Sequence, residues 1–227
     1  MELLSPPMVR GSALLGPLCH YHELHGREGR AELIASLDWR ARQVFSKRIR
    51  TTGLYAYAPF TALLRAIDLR CGNGDLSYCE VLGRDAAMAD MRSGFSELSR
   101  VSPPGRLLRN CGRVWERHYE QGTMRAVSWG PEGTVVRIEG FAGIDQAHCR
   151  LMKGWLRGAL EALGVRVDAD PTEACCAARG DDHCEFRCTW TEISPAKRST
   201  VELESVRETM GAEPQDADAQ DADARDA

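Results

Sequence analysis

Residues 123–141 read TMRAVSWGPEGTVVRIEGF. Two runs rich in β-branched residues, 123–129 and 134–141, flank a turn with glycine at both ends, and this pattern predicts a β-hairpin. An amphipathic helix is predicted next, over about 145–163, because apolar residues recur there at helical spacing. Two further strand-like runs follow, at about 165–177 and 183–190. The order ββ-α-ββ predicts a mostly antiparallel sheet packed by helices.

The N-terminal half of the chain is predicted to be helical. Apolar residues fall at helical spacing from Ala13 onward, and Gly26 is a plausible stop. Pro59 suits the first turn of a later helix, and Asp75 is predicted to cap a long one. Together with the C-terminal pattern, these segments give an α+β fold class. The predicted helices lie near 13–26, 30–37, 39–49, 59–71, 76–98 and 107–122.

Composition predicts one α+β domain over 1–192, a short helix or linker over 193–211, and a disordered acidic tail over 212–227. Residues 213–227 hold six acidic residues against one arginine, with no large apolar residue to bury. The rest of the chain is nearly neutral, which argues against a nucleic-acid partner. The longest apolar run, 54–64, is too short to span a bilayer, and the N-terminus lacks a signal peptide pattern. The expected location is therefore cytoplasmic, with no membrane partner.

The nine cysteines are odd in number and lack an export signal, so a disulfide framework is not expected. Metal binding and buried free thiols remain as two alternatives. A turn near Gly180 would bring Cys176 close to Cys184, and thiolates with carboxylates suit zinc. Glu173 would face the other side of a regular strand unless a bulge intervenes. Five of the cysteines lie in the C-terminal segment, at Cys149, Cys175, Cys176, Cys184 and Cys188.

This segment resembles the 4-vinyl-reductase-type domain. The resemblance rests on Gly154-x-x-x-Gly158 with Leu160 and Gly164, and on the Gly-Asp-x-x-Cys-Glu-Phe motif at 180–186. That domain is similar to the haem-binding nitric-oxide sensor fold, to subunits of Golgi transport tethers, and to the sensor domain of phenol-responsive bacterial activators. The N-terminal half, through residues 57–60 and 82–84, resembles a paralogous bacterial family of unknown function.

The resemblance implies a set of metal ligands. In the phenol-responsive sensors a structural zinc is held by a Cys, then by Glu-x-x-Cys, then by a Cys eight positions on. Glu173, Cys176 and Cys184 match that spacing, and Cys149 is the candidate for the first ligand. Cys175 and Cys188 stay open as core residues or alternative ligands. The haem-type relatives carry a Tyr-x-Ser-x-Arg motif that is absent here, which argues against haem.

The resemblance also implies a non-catalytic module that binds a small molecule in bacterial signalling or regulation. Its pocket would lie between sheet and helices, would be lined by Trp115, Trp129, Phe141 and Trp155, and would take a small hydrophobic ligand. The alternative is a protein-interaction scaffold like the tether subunits, with no ligand. An apolar cavity would favour the sensor, whereas a packed core would favour the scaffold. A homodimer or a partner regulatory protein is expected, because no output domain follows.

No catalytic constellation is visible in the sequence, and the chain is predicted not to be an enzyme. Phosphate-binding, zinc-protease, nucleophile-elbow and dinucleotide motifs are all missing. His118, in the segment 115–119, could serve as a catalytic base. Nothing around it along the chain supplies a nucleophile, so catalysis at this segment is not expected.

Overall fold

The structure, a computed structural model, describes residues 6–94, 108, 110–167 and 169–191. The predicted linker at 193–211, the predicted acidic tail and the last turns of the predicted helix at 76–98 lie outside the described residues. The domain boundaries therefore stay predictions. No helix in the described ranges is long and apolar enough to cross a lipid bilayer.

Six helices and six strands make up the described part of the chain. The helices are α1 (Gly11–Ser36), α2 (Trp39–Phe45), α3 (Tyr57–Cys71), α4 (Tyr78–Gly94), α5 (Cys111–His118) and α6 (Gln146–Ala162). The strands are β1 (Met8–Arg10), β2 (Leu54–Ala56), β3 (Thr123–Trp129), β4 (Gly133–Glu139), β5 (Thr172–Cys175) and β6 (Cys184–Thr189).

The predicted α+β class and antiparallel sheet are confirmed. Strands β3 to β6 form one sheet in the order β3-β4-β6-β5, with every neighbouring pair antiparallel. Val136 at the centre of β4 pairs with Ala126 on one side and Phe186 on the other. The buried residues of β4 alternate with half-buried ones, and on β6 Cys184, Phe186 and Cys188 are buried on the same alternation, so one face of the sheet carries the core.

The helical N-terminal half is confirmed, with one addition. The predicted break at Gly26 is a kink inside α1, where that residue takes a φ of 67° that favours glycine. The sequence analysis did not predict β1 and β2, which pair with each other as three-residue strands. Strands of three residues carry too little alternation for their period to be read from the sequence.

The start of α4 corrects the predicted role of Asp75. The Asp75 carboxylate accepts from the Ser77 N–H, at 2.9 Å, one residue before α4 begins. The fully buried Asp68 of α3 accepts from the N–H groups of Leu76 and Tyr78, each at 2.9 Å. The α4 amino end is therefore held by a carboxylate from the preceding helix, and α4 begins at Tyr78.

Helices α4 and α6 cross in close contact at glycine residues of both helices. A Cβ on Gly154 would lie 1.9 Å from the Glu80 carbonyl oxygen, and one on Gly83 would lie 1.9 Å from the Leu151 carbonyl oxygen. Gly154 and Gly158 belong to the glycine motif of α6, and small residues of this kind allow a close approach to a neighbouring element. Their bare faces meet α4, so the opposite face of α6 is left for the core and the sheet.

The first of the last two strands is shorter than predicted. A strand was expected over 165–177, but the observed strand, β5, begins just after Pro171 and has four residues. A register shift between Glu173 and Cys175 marks a β-bulge against β6. A 3₁₀ turn over Ala177–Arg179 and a left-handed Gly180 then reverse the chain into β6. The bulge is the irregularity that the predicted metal ligand Glu173 requires.

Candidate functional site

Three thiols from distant parts of the chain meet at the start of α6. The Cys149 sulfur lies 3.5 Å from that of Cys184 and 3.6 Å from that of Cys176. All three sulfur atoms lie within 4.8 Å of one another, and all three side chains are buried. Cys149 comes from α6, Cys176 from the turn after β5, and Cys184 from the first position of β6. We call these three residues the thiol cluster.

Glu173 lies beside the thiol cluster. Its Oε1 is buried and has no hydrogen-bond partner among the described residues, while its Oε2 accepts from Arg179 at 2.6 Å. The carboxylate also faces the Cys176 thiol, since the contact between them contributes to the raised pKa of that thiol after burial. An unpartnered, buried carboxylate oxygen costs free energy unless a cation or a donor reaches it.

The thiols perturb one another's protonation. The hydrogen bond with Cys149 lowers the pKa of Cys184 to about 7, and that same contact, followed by burial, raises the pKa of Cys149. The Ala177 N–H also points at the Cys184 sulfur, at 3.4 Å. Cys184 is therefore the thiol that most readily becomes a thiolate, which is the form that binds a metal ion.

The remaining C-terminal cysteines lie outside the thiol cluster. Cys188 is buried on β6, where burial raises its pKa to about 12 and Cys111 of α5 adds a smaller contribution. Cys175 lies in the bulged strand β5 and is half-buried. Of the predicted set, the structure brings Cys149, Cys176 and Cys184 together, whereas the Glu173 carboxylate contacts Cys176 but lies outside the group of ligand atoms that are within 4.8 Å of one another. The structure places Cys188 in the core.

The second candidate site is an apolar cavity of about 110 Å³ between the helices and β3. Helices α1, α4, α5 and α6 supply most of its wall, with Phe60 of α3 and Met124 of β3 completing it. Gly16, Ala86 and Ala89 are lining residues that keep solvent exposure, so the mouth lies between α1 and α4. Small residues at these positions leave the entrance open.

A hydrogen-bonded chain of polar side chains lies in one wall of this cavity. The Asp90 carboxylate of α4 accepts from Trp155 Nε1, at 3.0 Å, and lies 3.1 Å from His118 Nε2. The other ring nitrogen, Nδ1, lies 2.9 Å from the Ser12 hydroxyl. Asp90 is buried and His118 is half-buried. Four residues from four helices therefore converge on one polar point in an apolar wall.

An aromatic box around His148 joins the cavity wall to the thiol cluster. The ring of this fully buried residue stacks on Trp115 and packs at a tilt against Tyr119, and both of these residues line the cavity. His148 directly precedes Cys149 in the chain. The Tyr57 hydroxyl accepts from the Asp145 N–H at 2.9 Å and lies 3.0 Å from His148 Nδ1. Burial lowers the pKa of His148 to about 3, so the ring is neutral.

The predicted pocket residues divide into three groups. Trp115 and Trp155 line the cavity. Phe141 is buried one layer behind it, with its ring edge-on to Trp115 at 5.7 Å. Trp129 lies at the end of β3, next to the hairpin turn, and is 53% exposed. It points away from the core because the bulge between Ala126 and Ser128 changes the alternation of β3.

Sequence reasoning missed Ser12 and Asp90 and set His118 aside. Ser12 and His118 are separated by 106 positions, and Asp90 lies 28 positions before His118. No local motif links residues so far apart. The signal that was present is a single acidic residue on an otherwise apolar stretch of α4, since a carboxylate is rarely buried without a partner.

Comparisons with known proteins yield matches among solved structures. No family model matches this chain, and no curated protein does. An H-NOX protein from S. oneidensis in the Fe(II) state is 12% identical, with a TM-score of 0.65 over 82% of this chain and 98% of that one. The fold is that of H-NOX domains. An H-NOX mutant from K. algicida (11% identical, TM-score 0.61) covers 81% of this chain and 97% of its own.

A third match shows what such domains are described as binding. An oxygen-binding H-NOX domain related to soluble guanylate cyclases, in complex with oxygen, is 10% identical with a TM-score of 0.58, over 82% of this chain and 96% of that one. Other solved H-NOX structures are in the Fe(II) and Fe(II)NO ligation states. The predicted likeness to the nitric-oxide sensor fold is thus supported, while the 4-vinyl-reductase-type assignment stays a prediction.

The comparison overturns the expectation that argued against haem. The solved structures that share this fold are haem-binding domains, so a missing Tyr-x-Ser-x-Arg motif was too narrow a ground for that prediction. The motif concerns one way of holding the propionates. The fold itself is one that accommodates a haem.

His118 could serve as a ligand to haem iron in this cavity, but the cavity volume does not suit a haem. His118 supplies an imidazole at the wall, which is a common ligand type for haem iron. Both of its ring nitrogens already contact groups inside the protein, and the cavity of about 110 Å³ is much smaller than a porphyrin. Haem would therefore enter only after the surrounding helices separate, whereas a smaller ligand fits the cavity as it stands.

Proposed function

We propose that this chain is a small-molecule-binding sensor module. The observation that carries the proposal is the cavity between α1, α4, α5 and α6, which is lined almost entirely by apolar side chains. Apolar pockets with a few convergent polar groups are the usual form of small-molecule sites. The H-NOX descriptions, which name bound gases, support the same class of function for this fold.

The ligand proposed for the cavity is small, uncharged and mostly apolar. A dry cavity of about 150 Å³ in another protein binds benzene, so a volume of this order holds a single ring. Asp90, His118 and Trp155 already hydrogen-bond to one another, so a ligand need not satisfy them. A charged ligand would lose its hydration and find no unpaired partner in this wall.

The cavity favours the sensor over the alternative of a ligand-free scaffold. A module whose task is only to dock on other proteins gains stability from filling such a space, because an empty cavity costs free energy. The homodimer and the partner regulatory protein stay predictions. Both would convert ligand binding into an output, and native mass spectrometry measures both.

The thiol cluster with Glu173 is proposed as a structural metal site for zinc. Three thiolates and one carboxylate are enough to close a tetrahedral shell, with no position left for an activated water. The support is the close approach of the three sulfur atoms and the unpartnered carboxylate oxygen beside them. The site would tie the start of α6 to the β5–β6 unit, and Arg179 would offset part of its negative charge.

Benzene binding tests the cavity. Saturation at ten times the dissociation constant should stabilise the protein by about 1.4 kcal/mol, which corresponds to roughly 3–6 °C in melting temperature for a chain of this size. Gly16→Leu should abolish that shift. A Cβ at Gly16 meets no atom within 4 Å, so leucine fits at the mouth and closes it.

Ala35→Leu is the matched control. It adds a leucine at an exposed position of the same helix, away from the cavity, and should keep the benzene shift. A wild-type protein whose melting temperature does not respond to benzene, and which purifies with no small molecule in native mass spectrometry, would contradict the binding proposal. A Soret band after incubation with haem would instead assign the cavity to haem, and His118→Ala would then remove the band.

A further inference from the structure

We infer that Ser12 is an activated nucleophile that accepts an acyl group from a small ester bound in the cavity. Three observations carry the inference: the contact between Ser12 and His118, the contact between His118 and Asp90, and the fact that all three residues line one apolar cavity. This covalent capture goes beyond the proposed binding function.

The geometry is that of a nucleophile, a base and a group that orients the base. The Ser12 hydroxyl lies 2.9 Å from His118 Nδ1, which is nearer than its other acceptor, the Arg117 carbonyl oxygen, at 3.3 Å. The opposite ring nitrogen faces the Asp90 carboxylate at 3.1 Å. Such triads are recognised by geometry and roles, in any chain order.

The Asp90 carboxylate is fixed in the position that orients the His118 ring. It is buried, and the Trp155 indole N–H donates to its Oδ2 at 3.0 Å. A carboxylate fixed on one ring nitrogen keeps a proton there, which leaves the other nitrogen to accept the serine proton. It also stabilises the imidazolium ion that forms when that proton arrives.

Ser12 is held in place by the first turn of α1. It is the second residue of α1. Its own N–H donates to the Thr51 carbonyl oxygen at 2.9 Å, and the Gly11 N–H donates to the Gly53 carbonyl oxygen at 2.8 Å. These bonds fix the first turn, and the hydroxyl with it.

The step transfers an acyl group and balances without a further reagent. The Ser12 oxygen forms a bond to the ester carbonyl carbon, and its proton moves to His118 Nδ1. The bond from that carbon to the alcohol oxygen then breaks, and the leaving group takes the proton from His118. The products are the Ser12 ester and the free alcohol. The apolar lining and the volume favour short, uncharged acyl groups.

The test uses p-nitrophenyl acetate with the full-length protein. We expect a burst of nitrophenol release close to one equivalent, with a single acetyl group found on Ser12 by peptide mass spectrometry. Ser12→Ala should abolish the burst, and His118→Gln should slow it at least tenfold. Ser36→Ala is the matched control: that hydroxyl donates to the Leu33 carbonyl oxygen and does not line the cavity, so the variant should keep the full burst.

Two results would overturn the inference. One is a burst of unchanged size in Ser12→Ala, and the other is an acetyl group found on lysine or tyrosine with none on Ser12. The melting temperatures of Ser12→Ala and His118→Gln show whether each variant folds. If Ser12→Ala does not fold, Ser12→Cys replaces it, and acylation at residue 12 should persist in that variant. The binding proposal fails separately, through the benzene response of the wild-type protein.

Discussion

Gly154→Ala should lower the melting temperature by about 10 °C or prevent folding altogether. The added Cβ would lie 1.9 Å from the Glu80 carbonyl oxygen and 2.6 Å from the carbonyl carbon and Cα of that residue. All three are backbone atoms of α4, so no side chain can move aside, and the two helices must separate. Overpacking of this kind costs about 3 kcal/mol or more, which exceeds the gain of up to about 1 kcal/mol in helix propensity from replacing glycine by alanine.

Gly16→Ala is the control for this substitution. It is the same exchange inside a helix, but its Cβ meets no atom within 4 Å. The alanine should leave the melting temperature unchanged or raise it slightly, because helix propensity improves and nothing is displaced. Thermal denaturation followed by circular dichroism measures both variants. A Gly154→Ala protein that melts within two degrees of the wild type would show that α4 and α6 do not cross as described.

The parts of the fold that could be predicted depend on local patterns. The β3–β4 hairpin follows from two β-branched runs around a glycine-rich turn, and α6 follows from an apolar stripe that Asp145 caps by accepting from the Ala147 N–H. These signals need no knowledge of the rest of the chain. The same is true of the kink at Gly26.

The parts that could not be predicted depend on contacts between distant residues. The sequence shows that Gly154 is a glycine on a helix, but its partner, the Glu80 carbonyl, lies on another helix 74 positions earlier. Asp75 fits the local cap pattern, yet the buried Asp68 holds the start of α4. The convergence of Ser12, Asp90 and His118 likewise exists only after α1, α4 and α5 have packed.

The thiol cluster lies between these two cases. The spacing of Glu173, Cys176 and Cys184 predicts a shared site only if the strand is irregular, and the bulge in β5 supplies that irregularity. Cys149 joins the other two because α6 begins directly over the β5–β6 turn. Cys149 entered the predicted ligand set because it lies at the start of the helix between the two hairpins and because the family resemblance offered it as the first ligand, and its position beside the other two thiols is consistent with that set.

Cys184→Ser should remove the metal and lower the free energy of unfolding by several kcal/mol. Cys184 bears the thiol with the lowered pKa, at about 7, so it is the first thiolate available to a zinc ion. Binding to a site that exists only in the folded state is folding free energy, and here that site joins α6 to β6. Cys176→Ser should behave in the same way. Elemental analysis of protein purified without chelator measures the metal, and chemical denaturation measures the stability.

Cys79→Ser separates the loss of a ligand from the loss of a buried thiol. Cys79 is fully buried on α4, its thiol donates to the Leu64 carbonyl oxygen at 3.9 Å, and it is not part of the thiol cluster, so the metal should remain at one equivalent. Glu173→Gln keeps the shape of the side chain but removes its charge, and it should weaken retention of the metal in the presence of chelator.

Less than half an equivalent of zinc in the wild-type protein would show that the cluster is a set of buried thiols. If Cys188→Ser lost the metal while Glu173→Gln kept it, Glu173 would not be the fourth ligand.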